Sequence, residues 1–409
     1  MLRIFLMAAL LGGPGVLQAA SFTIDSAVSR ALSRNPGLLA ARFSVVEANG
    51  RLLQSGRPAN PEIETEMKPN IRGGEFVLSA GFMQRFPLTN RLRLEKAVSR
   101  AEVDVAAAEV REAERRLAGQ VRLAAVRLLA VRAARGLKKE RILQNAEFVK
   151  TAAKTAEAAE GSSLDAAQLE LEQQQSEIEL LELDGEQAAL TAELRPLLGM
   201  AADEALEITG SLTPPAAPPP QAPDVANRPD YQAAQARGEA ARRNIELQKQ
   251  NRWEDPAFGL SAELERSEDA PEGLGTDGFL GLKFSIPLPF WNKNEGNIQA
   301  AEAASTRAEL EAAAVAAGIR AEVAAARAEM TAAARIYDNA SNILLPRARE
   351  LEEKFLSVYR KAEPGADLAS VLRASDRRAA LENARLSALR DYHLAGARLL
   401  TALGGTRQR

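Results

Sequence analysis

Two patterns of apolar and polar residues recur along this chain, and each of them occurs in both halves. Strict alternation of apolar and polar residues occupies four short segments, which is typical of β-strands with one apolar face. Between these segments lie long stretches rich in Ala, Glu, Arg and Leu, whose apolar residues are spaced by three and four as in packed α-helices. In the first half this predicts helical structure at 22–57, with Asn35 as a possible cap and Pro36 in a first turn. It also predicts helices at 88–160 and 164–199, and strands at 62–68 and 75–86.

The second half of the chain follows the same order of elements. The pattern there predicts helices at 229–251, 292–362 and 367–403, and strands at 256–265 and 277–287. Pro346 is expected to kink the second long helix, because proline lacks an N–H and its ring clashes with the preceding turn. The first long helix, residues 88–160, contains no proline and would extend for roughly 110 Å at 1.5 Å per residue.

Heptad-like seams are expected on both helices of the first half, because steps of three and four specify a coiled coil. The seam of the first long helix is Val110, Ala113, Leu117, Val121, Ala124, Leu128 and Val131. The seam of the helix that follows is Leu164, Ala167, Leu171, Gln174, Ile178, Leu181, Gly185 and Ala188.

The chain is internally repeated, which the matching of short segments about 200 residues apart reveals. Leu198-Gly199 returns as Leu403-Gly404, and Gln84-Arg-Phe-Pro-Leu88 returns as Phe284-Ser-Ile-Pro-Leu288. The predicted organisation is an export signal at 1–20, a first repeat at 21–210, a stiff Pro-rich linker at 211–223 and a second repeat at 224–409. The signal is expected to take the mature chain out of the cytoplasm.

Composition excludes several classes of function. The chain has no cysteine and one histidine, so a zinc or copper site of the usual ligands is not expected. A net charge of −3 gives no indication of nucleic-acid binding. Neither a nucleophile–base pair nor a phosphate-binding loop is evident in the sequence. We therefore expect no catalytic residues, no cofactor and no enzymatic activity.

The alternating segments carry a membrane signal. Ten-residue segments with one apolar and one polar face are typical of transmembrane β-barrels, although a soluble sheet half-buried on helices would show the same pattern. Four strands are too few to close a barrel, which needs about eight. Several identical chains would therefore have to share one barrel in an outer membrane.

The sequence resembles the TolC family of outer-membrane efflux proteins over residues 22–405. The resemblance rests on the opening Phe22-Thr-Ile-Asp25 with Ala31-Leu-Ser-Arg-Asn-Pro36, and on Ile286-Pro-Leu-Pro-Phe-Trp-Asn-Lys-Asn-Glu-Gly-Asn-Ile-Gln-Ala300. The second segment is similar to that of the heavy-metal branch, the cobalt-zinc-cadmium and copper-silver exporters. The family implies a mainly α fold with a small β part, built from long helical hairpins and four transmembrane strands per chain.

The resemblance also implies an assembly and its partners. Three chains would form one twelve-stranded β-barrel in the outer membrane of a Gram-negative bacterium, continued by a helical barrel in the periplasm. The helical end would meet an inner-membrane resistance-nodulation-division pump through a periplasmic adaptor protein.

Three groups of residues are candidates for functional roles. The pore-lining candidates are the strand residues Glu62, Glu64, Glu66, Glu263, Glu265, Arg85 and Lys283. By resemblance, the candidates for a periplasmic aperture are Glu350, Glu352 and Glu353. The candidate adaptor-docking tips are Gly161, Ser162, Leu164, Gly365, Asp367 and Leu368. Each group has a simpler alternative, namely a solvated strand face, an exposed helix face with i,i+4 pairs, and ordinary helix ends.

The sequence thus predicts a passive exit duct of a tripartite efflux system, for metal cations or other toxic compounds. The alternatives are a multidrug duct, a periplasmic adaptor of the same kind of pump, and a structural coiled-coil protein of the envelope. His393 is expected to be a hydrogen-bonded packing residue, and Trp253 and Trp291 are expected at a membrane interface or against the barrel rim.

Overall fold

The computed structural model describes residues 20–71, 73–156, 163–216, 224–269, 271, 273–361 and 368–405. The predicted export signal lies outside these ranges apart from Ala20. The chain is mostly helical with a small β part, which confirms the predicted fold class. The helices are α1 (Ile24–Arg34), α2 (Pro36–Gln54), α3 (Arg91–Ala156), α4 (Ser163–Leu197), α5 (Pro229–Gln250), α6 (Glu295–Asn339), α7 (Leu345–Arg360) and α8 (Leu368–Ala402).

The strands form two sheets. They are β1 (Ala20–Phe22), β2 (Glu62–Pro69), β3 (Phe76–Arg85), β4 (Leu206–Ile208), β5 (Ala257–Asp269) and β6 (Gly273–Ser285). Four of them form an antiparallel sheet in the order β2-β3-β5-β6, so that β2 and β6 are its edges and run in opposite directions. The short strands β1 and β4 pair in parallel. The pair of β1 and β4 was not predicted from the sequence, because three-residue strands show too little alternation to be recognised.

The helical region expected at 22–57 is divided into two helices at Asn35, the residue that the sequence indicated as a possible cap. The Asn35 backbone is extended, and its Oδ1 accepts a hydrogen bond of 2.9 Å from the Leu38 N–H, so that Asn35 caps α2 ahead of Pro36. The same side chain donates from Nδ2 to the carbonyls of Pro196 at 3.2 Å and Leu197 at 3.1 Å. Asn35 therefore ends one helix, begins the next and holds the last turn of α4.

The second long helix is interrupted. A π-helical segment, Ala340–Leu344, separates α6 from α7, and Pro346 lies in the first turn of α7. A proline at that position has no N–H to offer to the turn before it, and a π segment is one way in which a helix accommodates the lost hydrogen bond.

The contacts divide the chain into two compact units, and each unit draws on both halves of the sequence. The first unit combines β1, α1, α4, β4, α7 and α8 with α3 from Ala113 and α6 from Arg320. Its core has one cluster of apolar side chains from α1, α3, α4 and β4, and a second from α6 and α8. The larger cluster includes Val28, Leu117, Val121, Leu128, Leu194, Leu198 and Ile208.

The second unit contains the four-stranded sheet and α5, together with α2 from Ala40, α3 to Glu112 and α6 to Ile319. Few large apolar side chains are buried in it, and many remain exposed on the sheet. Among the residues that the structure describes, no helix combines the length and apolar character needed to cross a membrane.

Candidate conduction surface and helical seams

In the register of the four-stranded sheet, the apolar residues of all four strands lie on the same face. Ile63, Phe82, Leu260 and Leu282 lie in one row across the sheet, and Thr65, Ala80, Ala262 and Leu280 lie in the next row on the same face. Residues directly opposite one another in a sheet point to the same side. One face is therefore apolar along all four strands, and it is largely exposed, with Leu280 at 91% of its full exposure.

The opposite face of the sheet is polar. It carries every pore-lining candidate of the sequence analysis, namely Glu62, Glu64, Glu66, Glu263, Glu265, Arg85 and Lys283. It also carries Lys68 and Asp277, which the sequence analysis did not single out. The place of Asp277 on this face could have been predicted, because Asp277 continues the alternation of Phe279, Gly281 and Lys283. It stands at the first position of the strand expected at 277–287.

Three of the acids on this face have cationic partners. Glu62 lies 3.6 Å from Arg85, Glu64 lies 3.7 Å from Lys283, and Glu66 lies 2.8 Å from Lys68, measured between oxygen and nitrogen. All six side chains are exposed, so solvent screens these pairs and they stabilise the sheet little. Their main effect is to neutralise the field of the carboxylates that belong to the first half of the chain.

The acids of the second half are less closely neutralised, and Glu263 interacts with Lys68 only at longer range. Within the described ranges, neither Glu263 nor Glu265 forms an ion pair, and Glu265 faces Asp277 directly across β5 and β6. Like charges in that position repel each other. The polar face therefore has a net negative charge that is concentrated on β5 and β6.

The aperture candidates are in different environments. Glu350 is exposed and bonded to Lys354 at 2.7 Å, and this hydrogen bond holds the pKa of the Glu350 carboxyl below its ordinary value. Glu353 is exposed. Glu352 is buried and lies 3.1 Å from the Nε of Arg378 on α8, so its carboxylate is engaged within the chain. The role of all three at an aperture stays a prediction.

The docking-tip candidates fall at the limits of the described chain. Gly161, Ser162, Gly365 and Asp367 lie outside the described residues. Leu164 lies in the first turn of α4, and Leu368 is the first residue of α8. Docking of an adaptor at these positions therefore stays a prediction.

The two predicted helical seams have opposite environments. The α3 seam is buried within the chain at Leu117, Val121 and Leu128, as expected. The α4 seam is exposed instead, with Leu171, Ile178 and Leu181 at 66%, 59% and 69% of full exposure. The coiled-coil seam expected on this stripe is therefore not covered within the described part of the chain.

A second heptad pattern on α4 makes the intrachain contact. Its buried members are Leu169, Ser176, Leu190 and Leu194. At 100° per residue, this stripe and the exposed stripe lie on roughly opposite faces of the helix. The more regular of the two seams is the one that the sequence makes evident, but spacing alone does not show which of them is covered.

Charged side chains link α3, α4 and α8. Arg141 pairs with Asp376, Lys138 pairs with Glu179, and the Arg378 Nη2 donates to the Gln144 Oε1 at 2.6 Å. Partial burial, and then the nearby charge of Asp376, raise the pKa of the Glu172 carboxyl on α4. This network joins the return helices of both halves to α3.

His393 contacts the linker. Its Nε2 lies 2.8 Å from the carbonyl oxygen of Thr213, and the neighbouring Tyr392 hydroxyl donates to the carbonyl of Ala216 at 2.6 Å and accepts from its N–H at 2.9 Å. His393 is therefore a hydrogen-bonded residue, as expected, and together with Tyr392 it fixes the start of the linker on α8.

The comparisons with known proteins agree with this architecture. Residues 225–405 match the family described as outer membrane efflux protein. No curated protein matches the sequence. Among solved structures, the chain is similar to CusC, described in connection with transmembrane channel formation, with a TM-score of 0.77 at 18% identity over 97% of this chain and 96% of CusC.

Two further solved structures have the same fold. The outer membrane protein VceC of Vibrio cholerae matches with a TM-score of 0.74 at 19% identity, over 93% of this chain and 96% of VceC. The open state of the MtrE outer membrane channel of Neisseria gonorrhoeae matches with a TM-score of 0.70 at 18% identity, over 94% of this chain and 89% of MtrE. The matched family is described as outer membrane efflux protein, and CusC and MtrE are described in connection with channels. The chain thus has the fold of the outer-membrane efflux channels, and its residues 225–405 match the outer membrane efflux protein family.

Proposed function

We propose that this chain is one subunit of a trimeric outer-membrane channel, the passive exit duct of a tripartite efflux pump. The observation that carries the proposal is the in-phase apolar face of the four-stranded sheet, which is exposed across all four strands. A sheet with one apolar and one polar face fits a barrel wall between lipid and water. Four strands are too few to close a barrel, whereas twelve from three chains are enough.

The exposed seam on α4 supports the same assembly. A stripe of apolar residues at heptad spacing on a helix is a surface for another helix. The opposite stripe already contacts the chain's own helices, so the exposed one is available to a neighbouring subunit. The helices of three chains would then form a continuous wall around a tunnel in the periplasm.

The direct test is conductance of the purified protein in planar bilayers. Leu282→Arg places a charge on the apolar face, where arginine near the middle of a membrane costs about 2–4 kcal/mol. We expect this variant to lose insertion and conductance. Ser261→Arg, on the polar face of the neighbouring strand, is the matched control and should still insert. Equal insertion of both variants, or a trimer of the natural protein that forms no pores, would rule out the proposal.

For the substrate, we infer cations, and metal cations in particular. The net negative charge on the polar face of β5 and β6 supports cations, and the resemblance of Ile286–Ala300 to the heavy-metal branch supports metals. The pump supplies the energy and most of the choice of substrate. A deletion strain should become sensitive to zinc, cobalt, cadmium or copper. Unchanged tolerance to all four metals with increased drug sensitivity would favour a multidrug duct instead.

A further inference from the structure

A small polar pocket lies where β6 leads into α6. Its volume is about 190 Å³, and it is lined by residues that follow α5 and by the segment between β6 and α6. The lining residues are Asn251, Arg252, Glu254, Pro287, Leu288, Pro289, Trp291, Asn292 and Asn294. All of them belong to the second unit of the chain.

The wall of this pocket is held in shape by hydrogen bonds. The Asn294 Nδ2 donates to the Gln248 carbonyl at 2.7 Å, which ties the β6–α6 segment to the last turns of α5. The backbone of Asn294 is left-handed, with a φ of 60°, and its N–H donates to the Asn292 Oδ1 at 3.0 Å. Asparagine tolerates this conformation better than other side chains do. The pocket is therefore defined by bonded residues on both of its sides.

A free cation and a free anion line the pocket together. Within the described part of the chain, neither Arg252 nor Glu254 has an ion-pair partner. The Arg252 guanidinium instead lies over the Trp253 ring, 6.0 Å from its centroid. A ligand that carries a phosphate and an ammonium group would satisfy both charges at once.

The pocket lies at the end of the sheet where β5 begins and β6 ends. Phe86, Phe258 and Phe284 form an edge-to-face chain at this end of the sheet, with ring centroids 5.8 and 5.5 Å apart. Beyond them, Phe290 and Trp291 are exposed, and Trp291 retains 95% of its full exposure. Aromatic residues of this kind concentrate where lipid tails meet head groups.

We propose that this pocket binds the head group of phosphatidylethanolamine. Arg252 would receive the phosphate, Glu254 would accept hydrogen bonds from the ammonium group, and Trp291 would lie against the upper acyl chains. Phosphatidylcholine has no N–H donor for Glu254, and phosphatidylglycerol has no cation for it. The inference rests on the proposed function, because only a membrane-embedded sheet brings the pocket to the head groups.

The two tryptophans of the chain, Trp253 and Trp291, give a local reporter for this site. The full-length protein would be placed in lipid nanodiscs that contain a minor fraction of one dibrominated lipid, whose bromines quench nearby indole rings. With Trp253→Phe, the fluorescence comes from Trp291 alone. We expect dibrominated phosphatidylethanolamine to be enriched about threefold to tenfold at Trp291 over dibrominated phosphatidylcholine and dibrominated phosphatidylglycerol. Two exposed charge pairs would give a preference of about this size.

The charge-removing variant is Arg252→Gln with Glu254→Gln, which should abolish the enrichment and leave the quenching at the level of random mixing. Arg93→Gln with Glu102→Gln removes the same charges from exposed positions on α3 and should keep the enrichment. Equal quenching by all three lipids would overturn the proposal, and so would preference for phosphatidylglycerol.

Conductance separates this proposal from the proposed function. If no lipid quenches Trp291 although the protein conducts in planar bilayers, a neighbouring subunit covers the pocket, and the head-group site is wrong while the channel stands. Absence of both quenching and conductance would overturn both proposals.

Discussion

In the first half of the chain, α3 is one unbroken helix of 66 residues. In the second half, the corresponding segment is divided into α6, a π-helical segment and α7. The acids of β2 form ion pairs with cationic side chains, whereas the acids of β5 form no ion pair among the described residues. Pro87 lies four residues before α3, whereas Pro287 lies eight residues before α6. Two halves with the same order of elements have thus acquired different local properties at corresponding positions.

The largest expected effect concerns the helix interruption. The offset between Gly161 and Gly365 places Ile142 of α3 opposite Pro346. Ile142→Pro should destabilise the chain by about 3 kcal/mol or more, because it breaks a continuous helix. Pro346→Ala should change stability by less than about 1 kcal/mol, because the neighbouring helix already accommodates the proline. Denaturant unfolding followed by circular dichroism measures both. Similar losses for the two variants would show that the halves tolerate proline equally.

The glycines that close the two halves offer the next comparison. Gly199 and Gly404 have left-handed φ values of 63° and 83°. Alanine at either position costs about 1–2 kcal/mol for that conformation. A Cβ at Gly199 would in addition lie 2.4 Å from the carbonyl oxygen of Arg34. Gly199→Ala should therefore lower the free energy of unfolding by about 1–3 kcal/mol more than Gly404→Ala does. Thermal unfolding of the two variants measures this difference. A smaller difference would show that α1 moves aside.

The polar face of the sheet can be divided by charge. Glu263→Gln with Glu265→Gln removes two unpaired negative charges per chain and should lower the ratio of cation to anion permeability. Glu64→Gln with Lys283→Gln removes an ion pair without changing the net charge, and should leave this ratio nearly unchanged. Reversal potentials in a salt gradient measure the ratio. If Glu64→Gln with Lys283→Gln changed the permeability ratio more than Glu263→Gln with Glu265→Gln, the distinction between paired and unpaired acids would be incorrect.

The smallest expected effect depends on pH. The raised pKa of Glu172 means that the unfolded chain releases this proton at a lower pH than the folded chain does. Stability contributed by the protonated group is therefore present below the ordinary value of 4.5 and is lost as pH rises through the folded pKa. Since Glu172 is only partly buried, the loss should be well under about 1 kcal/mol.

Glu172→Gln should remove this loss and make the variant slightly more stable than the natural chain above that window. The control is Asp376→Asn, at the corresponding position of the second half, which breaks the pair with Arg141 and should destabilise the chain near neutral pH. A Glu172→Gln variant that is less stable at pH 7 would contradict the sign of the pKa shift.

The elements with strong periodicity were predictable from the sequence, and those with competing signals were not. The four strands and α3 to α8 were expected to within a few residues, because their patterns are long and their ends carry Pro or Gly. The cap at Asn35 was indicated by the Asn-Pro pair, but its contacts with the carbonyls of Pro196 and Leu197 depend on the fold and could not be read from the sequence. The sequence also did not show which side of α4 the chain's own helices cover, because a helix with two seams needs its neighbours to decide between them.

For the candidate surface, the sequence was sufficient to place the acids on one side of the sheet, since alternation alone determines that. It could not pair Glu64 with Lys283, which lie on the two edge strands of the sheet and meet above Gly81. Nor could it show that Arg252 and Glu254 share a pocket with Trp291, because that depends on how the β6–α6 segment folds back on α5.

The order of the four strands also limits how copies of the chain can join. The edges β2 and β6 differ in sequence and run in opposite directions. When β6 of one copy pairs with β2 of the next, the contact is heterologous and antiparallel, and repetition of such a contact closes a ring rather than a two-fold dimer. Each copy adds an even number of strands, so the alternation of strand direction continues across every junction between copies. Loss of a single strand would leave one parallel pairing per copy and disturb that continuity.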